Sequence, residues 1–280
     1  MRTVESWDEP AIGPGRYMGR KQSVAALARL LRNGSSVSVV GGAKIGKTSL
    51  VRQVALELGE AALLSSGREL LARPLVESRI LLVDDAEALG TPQGRDLLAG
   101  LGRYAAVCLT ASRPWREFAA SAIHLKPFPM ATWDRRLAGA LIARVAPDAP
   151  ISTVARLVQL SGNHPFLLKG LLSRWPDIDS ALAACRPRFE LAFASWLEAM
   201  SPDARPLMDF LVERAGYVAF DDARKRLGRP DLKLEADRLC WLGVVERRLR
   251  GDMAVATLRA GCGLFNEWYR ARRGAQVPRA

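Results

Sequence analysis

The segment Gly41–Thr48 constrains what this chain can fold into more than any other stretch of its 280 residues. It reads Gly-Gly-Ala-Lys-Ile-Gly-Lys-Thr, which satisfies G-x-x-x-x-G-K-[ST], and it follows the strand-like run Ser36–Val40. In this pattern the glycines let the loop curl so that successive backbone N–H groups point at phosphate oxygens. The next helix, from about Lys47 to Gly59, directs its N-terminal dipole at the same anion. The sequence therefore predicts a strand, a phosphate-binding loop and a helix.

Two side chains at the end of this loop have distinct predicted roles. Lys47 would reach the β- and γ-phosphates of a nucleotide, and the Thr48 hydroxyl would bind Mg²⁺, a role that needs a short oxygen ligand directly after the lysine. The alternative is an ordinary Gly-rich turn. We expect nucleotide contacts from the whole loop and the residue after it, which are Gly41, Gly42, Ala43, Lys44, Ile45, Gly46, Lys47, Thr48 and Ser49.

Short apolar runs separated by helical segments predict a parallel sheet. The runs Ala61–Leu64 and Arg79–Asp85 have the composition of strands, and the second is apolar up to its two aspartates, as in a strand buried on both faces. Further strands are predicted at Tyr104–Thr110 and Ala122–Leu125, and a helix from about Gly94 to Gly102 precedes the first of these. Strands that alternate with helices are typical of a parallel α/β sheet, here with about five strands.

Two adjacent carboxylates close the third predicted strand. In a nucleotide-dependent α/β fold the carboxyl ends of the strands converge on the ligand, so Asp84 is expected to hold Mg²⁺ through water. Asp85 is the candidate to polarise the water that attacks the phosphate, because phosphoryl transfer leaves the protein little covalent chemistry to do. The alternative for this pair is a structural role as the N-cap of the helix that follows.

A polar cluster closes the fourth predicted strand and would lie in the same crevice. Thr110 or Ser112 could sense the γ-phosphate through a hydroxyl, and Arg113 could sense it through charge. The alternative is a solvated loop with an arginine before a proline. In the fifth predicted strand, His124 alternates with apolar neighbours and is interpreted as structural.

The strand signal ends near residue 132, and helical periodicity continues as far as Trp196. Beyond Ser201, three helical segments and a strand–turn–strand segment predict a winged helix, and a closing helix carries Phe265, Trp268 and Tyr269 as a core stripe. We therefore predict three domains, which are a phosphate-binding core at 1–128, a helical subdomain at 129–200 and a winged helix at 201–280.

Composition limits the partners and the compartment. The net charge of +12 and pI near 10.2 raise the question of an acidic partner, but the positive excess is spread along the chain. The four cysteines stand singly and there are only two histidines, so neither a zinc site nor a disulfide framework is predicted. The first ten residues carry three carboxylates where a signal peptide needs apolar residues, and no apolar run reaches membrane-spanning length. We expect a cytoplasmic protein that has no membrane partner.

These residues together resemble the STAND class of P-loop ATPases and the related archaeal-type ATPases, which are relatives of the AAA+ proteins. The resemblance covers nearly the whole chain. Besides the phosphate loop and the predicted winged helix, it rests on Gly19-Arg20, Asp84-Asp85, the strand end Thr110–Arg113, and Gly162–Leu168.

The family assigns further residues to the site. In it, the element before the first helix and a Gly-x-Pro-like element cover the adenine, and a strand-end arginine contacts the γ-phosphate. The resemblance therefore implies a catalytic role for Arg113 beside Lys47 and Asp85. It also implies base and ribose contacts from Tyr17, Gly19, Arg20 and Pro165.

The resemblance implies ATP or ADP with Mg²⁺ as ligands, and slow conversion of ATP and water to ADP and phosphate. Asp85 is allowed as the second carboxylate but is one methylene shorter than glutamate, which favours slow hydrolysis. Many members carry a fused effector domain and a repeat sensor, and 280 residues leave no room for either after the winged helix. We therefore expect a switch that couples nucleotide state to assembly with a partner protein carrying the sensor or effector, or into a nucleotide-dependent homo-oligomer. A prokaryotic conflict or defence system is the setting that the family suggests.

The sequence leaves other functions to weigh. A DNA-binding ATPase or transcriptional regulator would use the winged helix on duplex DNA. Its candidate recognition helix, Leu232–Leu242, carries Lys233 and Arg238 but has carboxylates nearby that would face phosphate, while the wing has Arg247, Arg248 and Arg250. A P-loop kinase lacks an evident Arg-rich lid, and GTP is disfavoured because no asparagine begins an Asn-Lys-x-Asp motif.

Overall fold

A computed structural model of the chain describes residues 20–72, 78–112, 124–250 and 255–276. Within these residues it contains two compact units. The first, called the sheet unit here, contains the described residues of 20–41 and 46–130. The second, called the C-terminal unit, contains Gly42–Ile45 and the described residues of 131–276. The three-domain division with boundaries near 128 and 200 stays a prediction.

The sheet unit is a parallel α/β structure. All of its paired strands run parallel, and their order across the sheet is β2-β3-β4-β1-β5. The fold class predicted from the sequence is therefore confirmed for this unit. Its elements are α1 (Lys21–Arg32), β1 (Val37–Val40), α2 (Lys47–Leu58), β2 (Ala62–Ser66), α3 (Gly67–Ala72), β3 (Ile80–Asp84), α4 (Pro92–Gly100), β4 (Ala106–Ala111) and β5 (Lys126–Pro129).

Burial follows the apolar runs of the sequence. Every residue of β1 and β4 is buried, and so are the four apolar residues of β3, because these central strands are covered on both faces. A cluster that includes Leu81, Leu89, Leu101 and Leu109 forms the core on one side of β3 and β4. These central strands fix the carboxyl edge of the sheet, where β1, β3 and β4 all end.

The fifth strand differs from its predicted position. It spans Lys126–Pro129 instead of Ala122–Leu125, whose first two residues lie outside the described part, and His124 is exposed. The alternation of proline in Lys-Pro-Phe-Pro argues against a central strand, but β5 pairs only with β1 and lies at the edge of the sheet. A proline is tolerated there because an edge strand has N–H groups that need no partner in the sheet.

The C-terminal unit is mainly helical. It contains the three helices and the strand pair predicted after Ser201, and α11 has the predicted bounds. The sequence interpretation missed β6, which completes a small antiparallel sheet of order β6-β8-β7. The elements are α5 (Arg135–Val145), α6 (Ile151–Ser161), α7 (Pro165–Leu172), α8 (Ile178–Ala199), α9 (Arg205–Arg214), β6 (Val218–Ala219), α10 (Phe220–Leu227), α11 (Leu232–Leu242), β7 (Val245–Arg250), β8 (Val255–Ala260) and α12 (Gly263–Gln276).

Aromatic side chains form the core between α8 and α12. The ring of Phe193 lies 5.2 Å from that of Trp196, 5.6 Å from that of Phe265 and 5.7 Å from that of Trp268, measured between centroids. Such tilted and edge-on pairs stabilise a core beyond the area that they bury. The stripe on the closing helix is therefore structural, as the sequence predicts.

Candidate functional site

The two ends of the predicted phosphate loop lie in the sheet unit. The backbone N–H of Gly41 donates to the carbonyl oxygen of Ala111 at 3.1 Å, which joins the loop to the end of β4. Gly46 has a left-handed backbone with φ of 104°, and α2 begins at the next residue. This conformation favours glycine, and glycine also has no side chain to cap the first turn of α2. The helix N-terminus therefore keeps the form that suits an anion.

Lys47 lies at the centre of the charged part of the site. Its ammonium group donates to the carbonyl oxygen of Gly41 at 2.7 Å and reaches the hydroxyl of Ser112 at 3.5 Å. Burial lowers the pKa of Lys47, and the nearby carboxylates of Glu87, Asp84 and Asp85 oppose this shift, in that order. The ammonium group therefore lies at the ends of β1 and β4, and carboxylates from the end of β3 and the turn after it favour its charged form.

Asp84 and Asp85 are both tied to Thr110, a fully buried residue of β4. The Thr110 hydroxyl donates to the Asp84 carboxylate at 2.8 Å and accepts the backbone N–H of Asp85 at 3.0 Å. One hydroxyl thus fixes the ends of two neighbouring strands. Thr110 therefore contacts the two aspartates at the carboxyl edge of the sheet, and its role in sensing the γ-phosphate stays a prediction.

The backbone of Asp85 is left-handed, with φ of 54°, and its side chain is exposed. Desolvation and the neighbouring Glu87 raise the pKa of Asp85, while Arg68 at the start of α3 opposes them. A Cβ on Gly67 would lie 2.5 Å from the carbonyl oxygen of Asp85, so this turn is closely packed against α3. The sequence interpretation missed Arg68, because nothing in the run after β2 distinguishes it from other surface arginines.

Glu87 is a third carboxylate of the site that the sequence interpretation did not single out. It lies in a 3₁₀ turn, Ala86–Gly90, and its carboxylate accepts a hydrogen bond from the backbone N–H of Ser112. Its position three residues after Asp84 is the one signal in the sequence, and a glutamate there is also typical of an ordinary helix start.

The structure describes only some of the other residues that the sequence assigns to the site. Tyr17, Gly19 and Arg113 lie outside the described residues. Arg20 directly precedes α1 in the sheet unit, and Pro165 is buried at the first position of α7 in the C-terminal unit. Their assignment to the adenine and ribose therefore stays a prediction.

The middle of the loop packs within the C-terminal unit. The backbone N–H of Gly42 donates to the carbonyl oxygen of Trp241 at 2.8 Å, and the indole N–H of Trp196 donates to the carbonyl oxygen of Ala43 at 3.0 Å. The Lys44 ammonium lies 5.6 Å from the centre of the Phe166 ring. Ile45 is buried. Residues 42–45 are thus held by α7, α8 and α11.

The residues present fit a nucleoside triphosphate with Mg²⁺. The sheet unit has an uncapped helix N-terminus at α2, the Lys47 side chain beside it, and the Asp84 carboxylate at the end of β3. Within the described ranges, no three His, Cys, Asp or Glu side chains form a metal-binding group. Mg²⁺ commonly takes one or two protein ligands and completes its octahedron with phosphate oxygens and water, so such a group is not required.

Comparisons with known proteins support the fold. No family model matches the chain, and no curated protein matches it. A Walker-type ATPase of Pyrococcus abyssi is similar in structure, with a TM-score of 0.60, 15% sequence identity, and coverage of 94% of this chain and 98% of that one. A point variant of RuvB from Thermotoga maritima matches with a TM-score of 0.45 and 17% identity over 99% of this chain and 100% of that one. The similarity to the Walker-type ATPase shows that the chain has the fold of the P-loop ATPases.

A search of the described helices found none that combines the length and the apolar character needed to cross a membrane.

Proposed function

We propose that this protein binds ATP with Mg²⁺, hydrolyses it slowly, and works as a STAND-like switch that couples nucleotide state to assembly with a partner protein. The observation that carries the proposal is the arrangement around Lys47. A phosphate-loop lysine, the first turn of α2 and the Thr110-bound Asp84 meet at the carboxyl edge of a parallel sheet. This edge is where α/β folds bind nucleotides.

Each residue of the site has a role in this proposal. Lys47 binds the β- and γ-phosphates, and Thr48 and Asp84 hold Mg²⁺, Asp84 through water. The metal, when bound, neutralises charge on the phosphate oxygens. Asp85 orients the attacking water by accepting its hydrogen bond, and Arg113 contacts the γ-phosphate.

The surroundings of Asp85 support the proposal of slow turnover. Its side chain is exposed, and its pKa is raised by desolvation and by Glu87. An exposed carboxylate is free to adopt several rotamers, so it holds a water molecule less well than a fixed group would. The left-handed backbone directs the short side chain away from the regular course of the strand.

Coupling to a partner is supported by the packing of residues 42–45. The same loop that would cradle the phosphates is hydrogen-bonded to Trp241 and Trp196 of the C-terminal unit. If nucleotide binding moves this loop, the hydrogen bonds of residues 42–45 with α8 and α11 would therefore change as well. In this proposal the segment from α9 to β8 is a winged helix that serves as a packing module, and its partner carries the sensor or effector. The setting in prokaryotic conflict or defence is part of the proposal.

The alternative is a DNA-binding ATPase, and the charges of the candidate winged helix disfavour it. Arg247 pairs with Asp237 at 2.6 Å, and Glu246 pairs with Arg248 at 2.8 Å and with Arg259 at 2.6 Å. Arginines that are already neutralised release fewer counterions from a duplex, so they contribute less to DNA affinity.

One experiment separates these functions. The particle mass of the protein is measured alone, with ADP, with ATP and Mg²⁺, and with a DNA duplex, and the Lys47→Ala variant is measured beside it. The proposal expects nucleotide binding, measured by titration with labelled ATP, in the parent and none in Lys47→Ala. It also expects a change of particle mass with ATP and Mg²⁺ in the parent alone. A parent that binds DNA tightly and binds no nucleotide would contradict the proposal.

A further inference from the structure

Glu87 makes contacts that no role assigned so far explains. Its carboxylate accepts the backbone N–H of Ser112, the last described residue before the segment that holds Arg113. Ser112 in turn lies within reach of Lys47, with 3.5 Å between the hydroxyl oxygen and the ammonium nitrogen. A chain of contacts therefore runs from the turn after β3, through the end of β4, to the phosphate loop.

Charge connects the same residues. The charge of Glu87 counteracts the burial-induced lowering of the pKa of Lys47, ahead of the charges of Asp84 and Asp85. It also acts on Asp85, whose carboxylate it disfavours in the charged form. Glu87 and Lys47 both contact Ser112, so the negative charge of Glu87 also repels phosphates that the lysine would bind, and in a partly buried site this repulsion is weakly screened.

We propose that Glu87 is a positioning residue of the phosphate site, which fixes Ser112 at the end of β4 and lowers the affinity of Lys47 for nucleotide through its charge. This inference rests on the proposed nucleotide binding. Its two parts depend on different properties of the side chain. The hydrogen bond needs an acceptor at the full length of glutamate, and the repulsion needs a negative charge.

Two conservative variants separate these properties. Glu87→Gln keeps the length and the acceptor but removes the charge, whereas Glu87→Asp keeps the charge but is one methylene too short to reach Ser112. Glu60→Gln is the matched control, because Glu60 is exposed after the C-terminal end of α2. The 12 residues of that helix span about 18 Å, which places the control far from Lys47.

The readouts are the affinity for a fluorescent ADP analogue without Mg²⁺ and the hydrogen-exchange protection of the Ser112 amide. Glu87→Gln is expected to bind ADP roughly three- to tenfold more tightly than the parent, with the amide still protected. Glu87→Asp is expected to bind no more tightly than the parent and to lose protection at Ser112. Glu60→Gln should match the parent in both measurements.

Two results would overturn the inference while leaving the proposed function intact. One is a parent that binds ADP with the same affinity as Glu87→Gln, and the other is a Ser112 amide equally protected in Glu87→Asp. If the parent binds no ADP, that result would instead contradict the proposed nucleotide binding, and with it the inference that Glu87 repels the phosphates.

Discussion

The backbone N–H of Gly42 donates to the carbonyl oxygen of Trp241, and the next residue, Leu242, lies against the same glycine. A Cβ added at Gly42 would be 2.3 Å from the carbonyl oxygen of Leu242 and 2.9 Å from its carbonyl carbon. Both atoms belong to the backbone at the end of α11, so they cannot move aside as a flexible side chain would. The phosphate-loop pattern allows any residue at position 42, whereas packing against the backbone of Leu242 requires glycine there.

The first prediction follows from that contact. Gly42→Ala should lower the free energy of unfolding by about 1–3 kcal/mol, because the new methyl group overpacks a closed backbone contact. The control is Gly139→Ala on α5, where a Cβ would meet nothing within 4 Å. That change should stabilise the protein by about 0.5–1 kcal/mol, since alanine is the better helix residue. Denaturant unfolding of both variants measures the difference, and equal effects would contradict the contact.

The second prediction concerns Lys47 and Thr48. Lys47→Ala should abolish nucleotide binding, because it removes the cation that reaches both Gly41 and Ser112, and backbone amides alone compete poorly with water. Thr48→Ala should weaken Mg²⁺-dependent binding most. Titration with labelled ATP, with and without Mg²⁺, measures both effects. Lys225→Ala, an exposed change on α10, is the control. If Lys47→Ala binds ATP as tightly as the parent, the phosphate-loop assignment is wrong.

Whether a feature of the fold or the site could be predicted from the sequence depends on how far apart along the chain its interacting residues lie. The phosphate loop, α2 and the central strands were predictable because their patterns are local, and α11 has its predicted bounds. Strand β5 begins four residues later than the sequence predicts, because its prolines are permitted only at the edge of the sheet. Glu87 was missed because its partner, Ser112, is 25 residues away along the chain. No local pattern reports a contact of that kind.

The third prediction separates the two aspartates. Asp84→Asn should weaken metal-dependent nucleotide binding, because Asp84 is fixed by the Thr110 hydroxyl at the strand end and would lose the charge that attracts Mg²⁺. Asp85→Asn should leave binding intact and stop turnover. Steady-state phosphate release and ATP titration are measured on both variants, with the exposed Asp96→Asn as control. Unchanged hydrolysis in Asp85→Asn would remove Asp85 from the mechanism.

The fourth prediction is a pH dependence of stability from Glu246. Burial opposes ionisation of this carboxyl, but hydrogen bonds from Tyr217 and Arg248 and the charge of Arg259 outweigh it and lower its pKa below the ordinary 4.5. A lowered carboxyl pKa contributes stability that is present above the unfolded pKa and is lost as the pH falls through the folded value.

Glu246→Gln should therefore be less stable than the parent at pH 7, and the difference should shrink as the pH falls below about 4.5. Melting temperatures between pH 7 and pH 3 measure it. The control is Glu190→Gln, which removes an exposed pair with Arg186 on α8. A Glu246→Gln curve parallel to that of the parent would show that the carboxylate does not contribute in this way.

The last prediction is that duplex DNA binds weakly, without sequence preference, and is released steeply as salt rises. In α11, Arg238 is paired with Glu235 at 2.9 Å, and in the strand that follows, Arg247 is paired with Asp237. Phosphate contacts from the remaining exposed cations would then supply nearly all of the affinity, which makes it salt-dependent.

Reversing the charge of Arg247 and Arg248 should weaken this binding, because the two new carboxylates would repel the DNA phosphates, and should leave ATP binding unchanged. A transcriptional regulator would instead select one site and bind it on the order of a thousandfold or more tightly than random DNA at physiological salt. Selection on random duplexes at that salt decides between the two, with Lys233→Ala and Arg238→Ala tested on any recovered sequence. An enriched site that depends on Lys233 or Arg238 would establish α11 as a recognition helix and contradict the packing-module proposal.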